Sequence, residues 1–276
     1  MEIGRKMLRT FVIAVLVACV NGSPKKGVSA YAPQMLCNDY KVLGNVSWWY
    51  DWSKNLDRYN TRVSQHCPSS IVPAPEHVPM IWTIWKNGTH PTLTPGAKYV
   101  LGYNEPDHAD QAHLTPKQAA DFWPEVERLA AGLPLISPVT AGKNFPWLDE
   151  FFRLCHNCRV DYIGAHMYSC SADNIMHFLQ QLHNRYHKKV WLTEFACPHS
   201  WDENAQLHLM QTLLPRLEAA NYVYRYAWFE ARIKHQFGNG FVTPAASLLH
   251  NNTATLTKIG RFYNDFEPSG STHIVG

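Results

Sequence analysis

The chain has 276 residues, of which 46% are hydrophobic and 17% charged, enough for one large buried core and far from a disordered composition. Its formal charge is +3, and loss of a leader carrying Arg5, Lys6, Arg9 and Glu2 leaves +1. That near-neutral balance argues against nucleic acid or an anionic membrane as the main partner, and one compact, monomeric domain is expected.

The start, "MEIGRKMLRTFVIAVLVACVNGS", has three cations before an apolar run from Phe11 to Val20 and small residues at Gly22 and Ser23. This predicts a signal peptide over 1–22, a secreted extracellular protein and a mature domain over 23–276. Candidate strands follow at 27–31, 45–52, 78–85, 98–104, 133–139, 160–168, 189–195 and 221–229. Several are apolar on both alternating faces, as strands buried between a core and a helical layer are. Helical patterns at 115–132, 174–187 and 204–220 separate the later ones, with Pro116 at a helix start and Gly132 past its end. Strand and helix alternating over this length predict a single-domain α/β (β/α)8 TIM barrel, although helices after the first three strands are faint. The competing open, doubly wound sheet lacks a glycine-rich phosphate loop.

Once Cys19 leaves with the signal, six cysteines remain, an even number that predicts disulfides in a secreted chain. "CHNC" at 155–158 suits a local bridge or two separate ones better than half a zinc site, and Cys170 and Cys197, each following one of two neighbouring strands, are a plausible pair. Sequons stand at Asn45, Asn87 and Asn251. Fifteen histidines form no HExxH or paired-ligand spacing, so neither a metal nor a cofactor is expected.

In a barrel the functional side chains gather where strands end. Those ends hold Trp52, Trp85, Asn104, Glu105, Pro138, His166, Tyr168, Glu194, Trp228, Phe229 and Glu230. Glu105 and Glu194 can face each other across the mouth, and a carboxyl pair is what glycoside hydrolysis requires. Trp and Tyr offer flat faces on which sugar rings stack; Trp48, Trp82 and Trp85, some of which must be core in such apolar strands, and Trp228 are the candidates, Trp228 the strongest. Bland alternatives stand beside these: Glu105 as a turn acceptor, Glu194 paired with Arg225, Tyr168 as filler, His166 as a core histidine.

The ordered blocks "LGYNEPD", "ISPVTAG", "WLDEFF", "VDYIGAHMY", "VWLTEFAC", "YRYAWF" and "LTKIGRFYN" resemble the Asl1-like catalytic domain of glycoside hydrolase family 128, from about Gly27 to Tyr263. The resemblance implies a retaining (β/α)8 glycosidase acting on β-1,3-glucan, with an endo action expected. It further implies Glu105 as acid/base, Glu194 as nucleophile and Asn104 on the sugar 2-hydroxyl, with Tyr168, Trp82 and Trp228 lining the substrate site. A secreted glycan-binding protein that kept the cleft without turnover is the alternative.

Overall fold

The computed structural model describes residues 22–68, 74–86, 88–89 and 91–268, so the expected signal segment before Gly22 and the sequon at Asn87 lie outside the described residues. Among the described residues six strands form one sheet: β1 Lys26–Ser29, β2 Trp48–Tyr50, β3 Glu76–His77, β4 Ile163–His166, β5 Val190–Glu194 and β6 Val223–Trp228. They lie in the order β3-β2-β1-β6-β5-β4, and every neighbouring pair is parallel.

The strands expected at 78–85, 98–104 and 133–139 are reduced to isolated parallel bridges, Met80 to Leu101, Val100 to Leu135, Asn104 to Val139, and Ile136 to Tyr162, β3 lying just before the first of them. The reason is in the sequence. Pro79, Pro134 and Pro138 have no N–H to give to a ladder, which leaves single contacts where continuous pairing would otherwise run. The bridges still lead stepwise from the segment after β3 to the segment before β4, that is, from one edge of the sheet to the other. Gly102 permits this, because a Cβ there would meet the carbonyl oxygens of Ile136 and Ser137 at 2.7 Å.

Seven α-helices among the described residues accompany the sheet: α1 Asp39–Val42, α2 Asp57–His66, α3 Pro116–Ala130, α4 Phe145–Leu154, α5 Ala172–Tyr186, α6 Glu203–Ala219 and α7 Lys258–Asp265. The three expected helices are α3, α5 and α6. Their starts are locally encoded: Thr115 and Gln118 form a reciprocal capping box on α3, while Ser171 and Asp202 accept from backbone N–H groups of α5 and α6. α4 and α7 were not anticipated as helices, though Asn144 and Thr257 cap them in the same way.

Apolar packing falls into two layers. A large cluster lies between sheet and helices and includes Trp123, Phe151, Leu179, Leu213 and Trp228. A smaller cluster of Trp48, Tyr50, Met80, Leu101, Ile136 and Trp191 lies on the other face of the strands. At its end, Arg225 makes a two-pronged pair with Glu76 at 2.9 and 3.0 Å and stacks within 5.0 Å of the Tyr99 and Trp191 ring centres. Arg225 is therefore committed to Glu76, which removes it as a partner for Glu194.

Three disulfides join Cys37 to Cys67, Cys155 to Cys158 and Cys170 to Cys197. Asn251 is exposed and Asn45 half-buried. Among the described residues no helix is long and apolar enough to cross a membrane.

Candidate active site

Glu105 follows the bridged segment that ends at Asn104. Its N–H donates to Val139 at 2.7 Å and its carbonyl accepts from His108 at 3.0 Å, while its φ of 41° is left-handed. That conformation is uncommon for a residue with a Cβ and marks a place where the surrounding chain dictates the backbone. Here it ends the extended segment and turns the carboxyl into a cavity. Asp107 fixes the turn from outside, accepting from Ala141 N at 2.9 Å and Asn144 Nδ2 at 2.8 Å.

Glu194 ends β5 and is buried. Its Oε2 accepts from Tyr168 at 2.6 Å; its Oε1 accepts from Trp52 Nε1 at 2.9 Å and from Tyr50 at 3.2 Å. Trp52 also has a left-handed backbone, with φ 59°. Burial and neighbouring carboxylates hold the Tyr50 and Tyr168 phenols well above their usual pKa, so both act as donors.

Between the two carboxyl groups lies His166, fully buried at the end of β4. Its Nδ1 is 2.8 Å from Glu105 Oε1 and its Nε2 is 3.4 Å from Glu194 Oε1. One donor atom from each of the three residues falls within 4.8 Å of the others. Such a set can hold a cation. The two ring nitrogens, however, face different carboxylates, Nδ1 in a hydrogen bond with Glu105 and Nε2 without a hydrogen-bond partner among the described residues, so the three donors do not converge on one ion.

Burial opposes a charged His166, but the carboxylates of Glu194 and Glu105 outweigh it and raise the imidazole pKa. Burial also acts to raise Glu105, yet the hydrogen bond and charge of His166, with His108 beyond, hold it below the usual value. Glu194 is raised, chiefly by burial and also by the charge of Glu105, against the pull of His166, Tyr168 and Trp52. Both shifts favour the imidazole side of the Glu105 hydrogen bond for the proton.

The cavity above this triad measures about 900 Å³, and a second of about 580 Å³ shares its Trp52 and Trp82 wall. Glu105, Glu194, Asn104, Tyr168 and Trp82 all line the larger one. Asn104 donates from Nδ2 to Gln111 at 3.0 Å, and its buried Oδ1 has no partner among the described residues.

Trp228 requires a correction. It is fully buried, donates to the Ala246 carbonyl at 2.7 Å and packs on Phe195, away from the cavity. The aromatic that β6 sends to the cavity is the next residue, Phe229, edge-on to Trp52 and Tyr168 with ring centres 5.8 and 5.7 Å away. Because side chains alternate along a strand, a one-residue difference in reading where β6 leaves the sheet exchanges wall for core.

Tyr50 and His166 also stand closer to the carboxylates than their sequence context suggested. A signal existed for both: each is two residues before a partner that faces the site, Trp52 and Tyr168 respectively, and so shares its face. Glu230, which follows Phe229 and also lines the cavity, is legible in the sequence as a residue at the end of the last strand, without a role.

The family model described as "Glycosyl hydrolase catalytic core" matches residues 28–263. The alkali-sensitive linkage protein 1 of Schizosaccharomyces pombe is 26% identical over 242 residues, 82% of this chain, while the match spans only 41% of that protein. An endo-β-1,3-glucanase of Sorangium cellulosum, of glycoside hydrolase family 128, superposes with a TM-score of 0.73 at 30% identity, covering 89% of this chain and 99% of that one. An exo-β-1,3-glucanase of the same family from Cryptococcus neoformans gives 0.72 at 26% identity over 87% and 97%. A third, an endo-β-1,3-glucanase of Amycolatopsis mediterranei bound to laminarihexaose, gives 0.68 at 26% over 88% and 99%. With the match running through every element that carries the cavity, the chain belongs to the glycosyl hydrolase catalytic core family.

Proposed function

We propose that this protein is a secreted, retaining glycosidase that cleaves β-1,3-glucan by double displacement, with Glu194 as nucleophile and Glu105 as acid/base. The observation that carries the reading is the carboxyl pair. Oxygens of Glu105 and Glu194 lie within 4.8 Å of one another at the cavity floor. Retaining pairs stand about 5 to 5.5 Å apart, whereas inverting pairs leave roughly 6.5 to 9.5 Å for a water. The β-1,3-glucanase relatives support the substrate, and the stepwise bridges between the sheet edges support a (β/α)8 barrel with its fourth and fifth strands reduced. Three disulfides and the signal-like start support secretion.

The first step needs Glu105 protonated and Glu194 ionised. One proton crossing the 2.8 Å hydrogen bond from His166 Nδ1 to Glu105 supplies this state. The imidazole becomes neutral and keeps its Nε2–H, 3.4 Å from Glu194, whose carboxylate accepts from Tyr168 and Trp52 and shares the Tyr50 proton with the Thr193 carbonyl. Glu194 attacks the anomeric carbon as Glu105 protonates the leaving oxygen. Glu105, now ionised, takes a proton from the water that releases the sugar from the ester. Asn104, which lines the cavity beside the carboxyl pair, is the residue for the sugar 2-hydroxyl, while Trp82 and Phe229 offer apolar faces to the rings.

The test is to incubate the purified protein with β-glucans of different linkage and analyse the products by size and anomeric configuration. Shortened β-1,3 products released first as the β anomer support the reading. Binding without shortening selects the turnover-free glycan-binding alternative, and α-anomer release excludes double displacement.

A further inference from the structure

A third carboxyl group lies in the same cavity and takes no part in the scheme above. Glu230 follows β6, is 1% exposed and lines the wall between Tyr31 and Glu194. Its Oε1 accepts from Tyr31 N–H at 3.2 Å. Its Oε2 has no hydrogen-bond partner among the described residues and is not among the sealed, unpaired atoms, which leaves it facing the cavity. A buried carboxyl in this position calls for a ligand.

The charge around Glu230 determines what it offers that ligand. From the segment after β1 comes the neutral Tyr31 amide, from β2 the un-ionised phenol of Tyr50, and from β5 the carboxyl of Glu194. The cation on its own segment, Arg232, is committed to Asp39 and to the carbonyls of His250, Asn251 and Thr253. No cation is paired with Glu230 among the described residues. Burial, with Glu194 adding to it against the Tyr31 amide, pushes its pKa up to about 8.

We infer that Glu230 is a substrate-binding residue of the glucan site, donating an Oε2–H hydrogen bond to a hydroxyl of the glucosyl unit seated against Phe229. Tyr31 N–H occupies Oε1, so the proton is directed to the oxygen that faces the sugar. A neutral acid supplies a donor beside the nucleophile without adding a second negative charge there. Ionisation removes the donor and introduces that charge, so binding weakens as pH rises through about 8.

The assignment rests on the glucan reading, and its test keeps the two apart. Binding and hydrolysis of a β-1,3-linked glucose oligosaccharide are measured from pH 5 to 9 for wild type, E230Q and E230A, with melting temperatures and circular dichroism confirming the fold. Loss of one hydrogen bond, with its donor site left empty, is expected to cost E230A about tenfold or more in affinity and kcat/KM at pH 6. E230Q keeps an acceptor for Tyr31 and an N–H donor toward the sugar. It should lose about threefold, less than a full hydrogen bond, and lose the alkaline fall in binding. A buried neutral carboxyl should also give an infrared carbonyl band at pH 6 that E230Q lacks.

If wild type binds the oligosaccharide and E230A binds it equally well, Glu230 is no substrate ligand and the glucan reading stands. If E230Q is as impaired as E230A, an ionised carboxylate is required and the inference is overturned. Wild type that binds without hydrolysis moves the comparison to affinity alone. Wild type that neither binds nor cleaves the oligosaccharide refutes the glucan reading, and this inference with it.

Discussion

His166 Nδ1 stands 2.8 Å from Glu105 Oε1, which places a fully buried imidazole in direct proton contact with the proposed acid/base. A buried histidine with its second nitrogen 3.4 Å from Glu194 is coupled to both carboxyl groups, so removing it shifts both titrations in one direction. His166 lowers Glu105 and opposes the rise of Glu194. In H166A burial acts with less opposition, and each carboxyl titrates at higher pH. The acid limb follows the nucleophile and should move upward, whereas the alkaline limb, set in the wild type by loss of the proton that His166 and Glu105 share, should change to that of Glu105 alone. Positioned proton transfer contributes about 10²- to 10⁴-fold, and a loss of kcat toward the lower end is expected. An unmoved profile would show that His166 only fills space.

The neighbours Trp228 and Phe229 separate stability from binding. W228A removes a fully buried indole and its hydrogen bond to Ala246, and should cost about 3 to 5 kcal/mol with glucan affinity unchanged in the protein that still folds. F229L keeps apolar volume but removes the flat face toward the cavity. It should weaken oligosaccharide binding while shifting stability by less than about 1.5 kcal/mol. Thermal melts and binding isotherms on both variants check this, and the reverse pattern would return Trp228 to the site.

How far the sequence reveals this site depends on how local each determinant is. Glu105 and Glu194 are legible because each ends an apolar run, and α3, α5 and α6 because they carry their own caps and periodicity. The order of strands around the sheet is not written in any single segment. Nor is the bridge-only pairing of 98–104 and 133–139, where the prolines act against runs that are otherwise strand-like. Trp228 illustrates the limit most clearly. Its identity suits a sugar platform, and only the register at the end of β6 turns it into the core and sends Phe229 to the cavity. Glu230 is legible only as a strand-end residue, for a related reason: its burial and its contact with Tyr31 arise from segments 199 residues apart.

Glu230 also links stability to pH without any substrate. Its pKa in the folded protein is about 8, against 4.5 for an ordinary glutamate. A raised folded-state pKa means that its contribution is complete below the unfolded value and is lost as pH rises through the folded one. Between about pH 4.5 and 8 each unfolding event releases this proton, a slope of about 1.4 kcal/mol per pH unit from one fully coupled group. E230Q cannot titrate and should flatten the decline of chemical-denaturation stability with rising pH in that window. Parallel curves for wild type and E230Q would mean that Glu230 is ionised in the folded state.

The two glutamates themselves are distinguished by what replaces them. In E194A the attacking oxygen is gone and a space is left on the face it occupied, so added azide should attack an activated β-glucoside from that side in a single displacement. The expected product is a glycosyl azide of inverted, α configuration. In E105A the nucleophile remains, and a substrate whose leaving group needs no proton should still form the glycosyl ester. Water then lacks its general base while azide, already anionic, does not need one, so azide accelerates turnover and gives the β product of retained configuration. Proton NMR of the anomeric signals reads both results. The E105A loss should also be smaller on activated than on natural substrates, because the acid assists only departure of a poor leaving group. Exchange of the two stereochemical outcomes would exchange the roles of Glu105 and Glu194, and undiminished activity of both variants on β-1,3-glucan would place the chemistry elsewhere in the cavity.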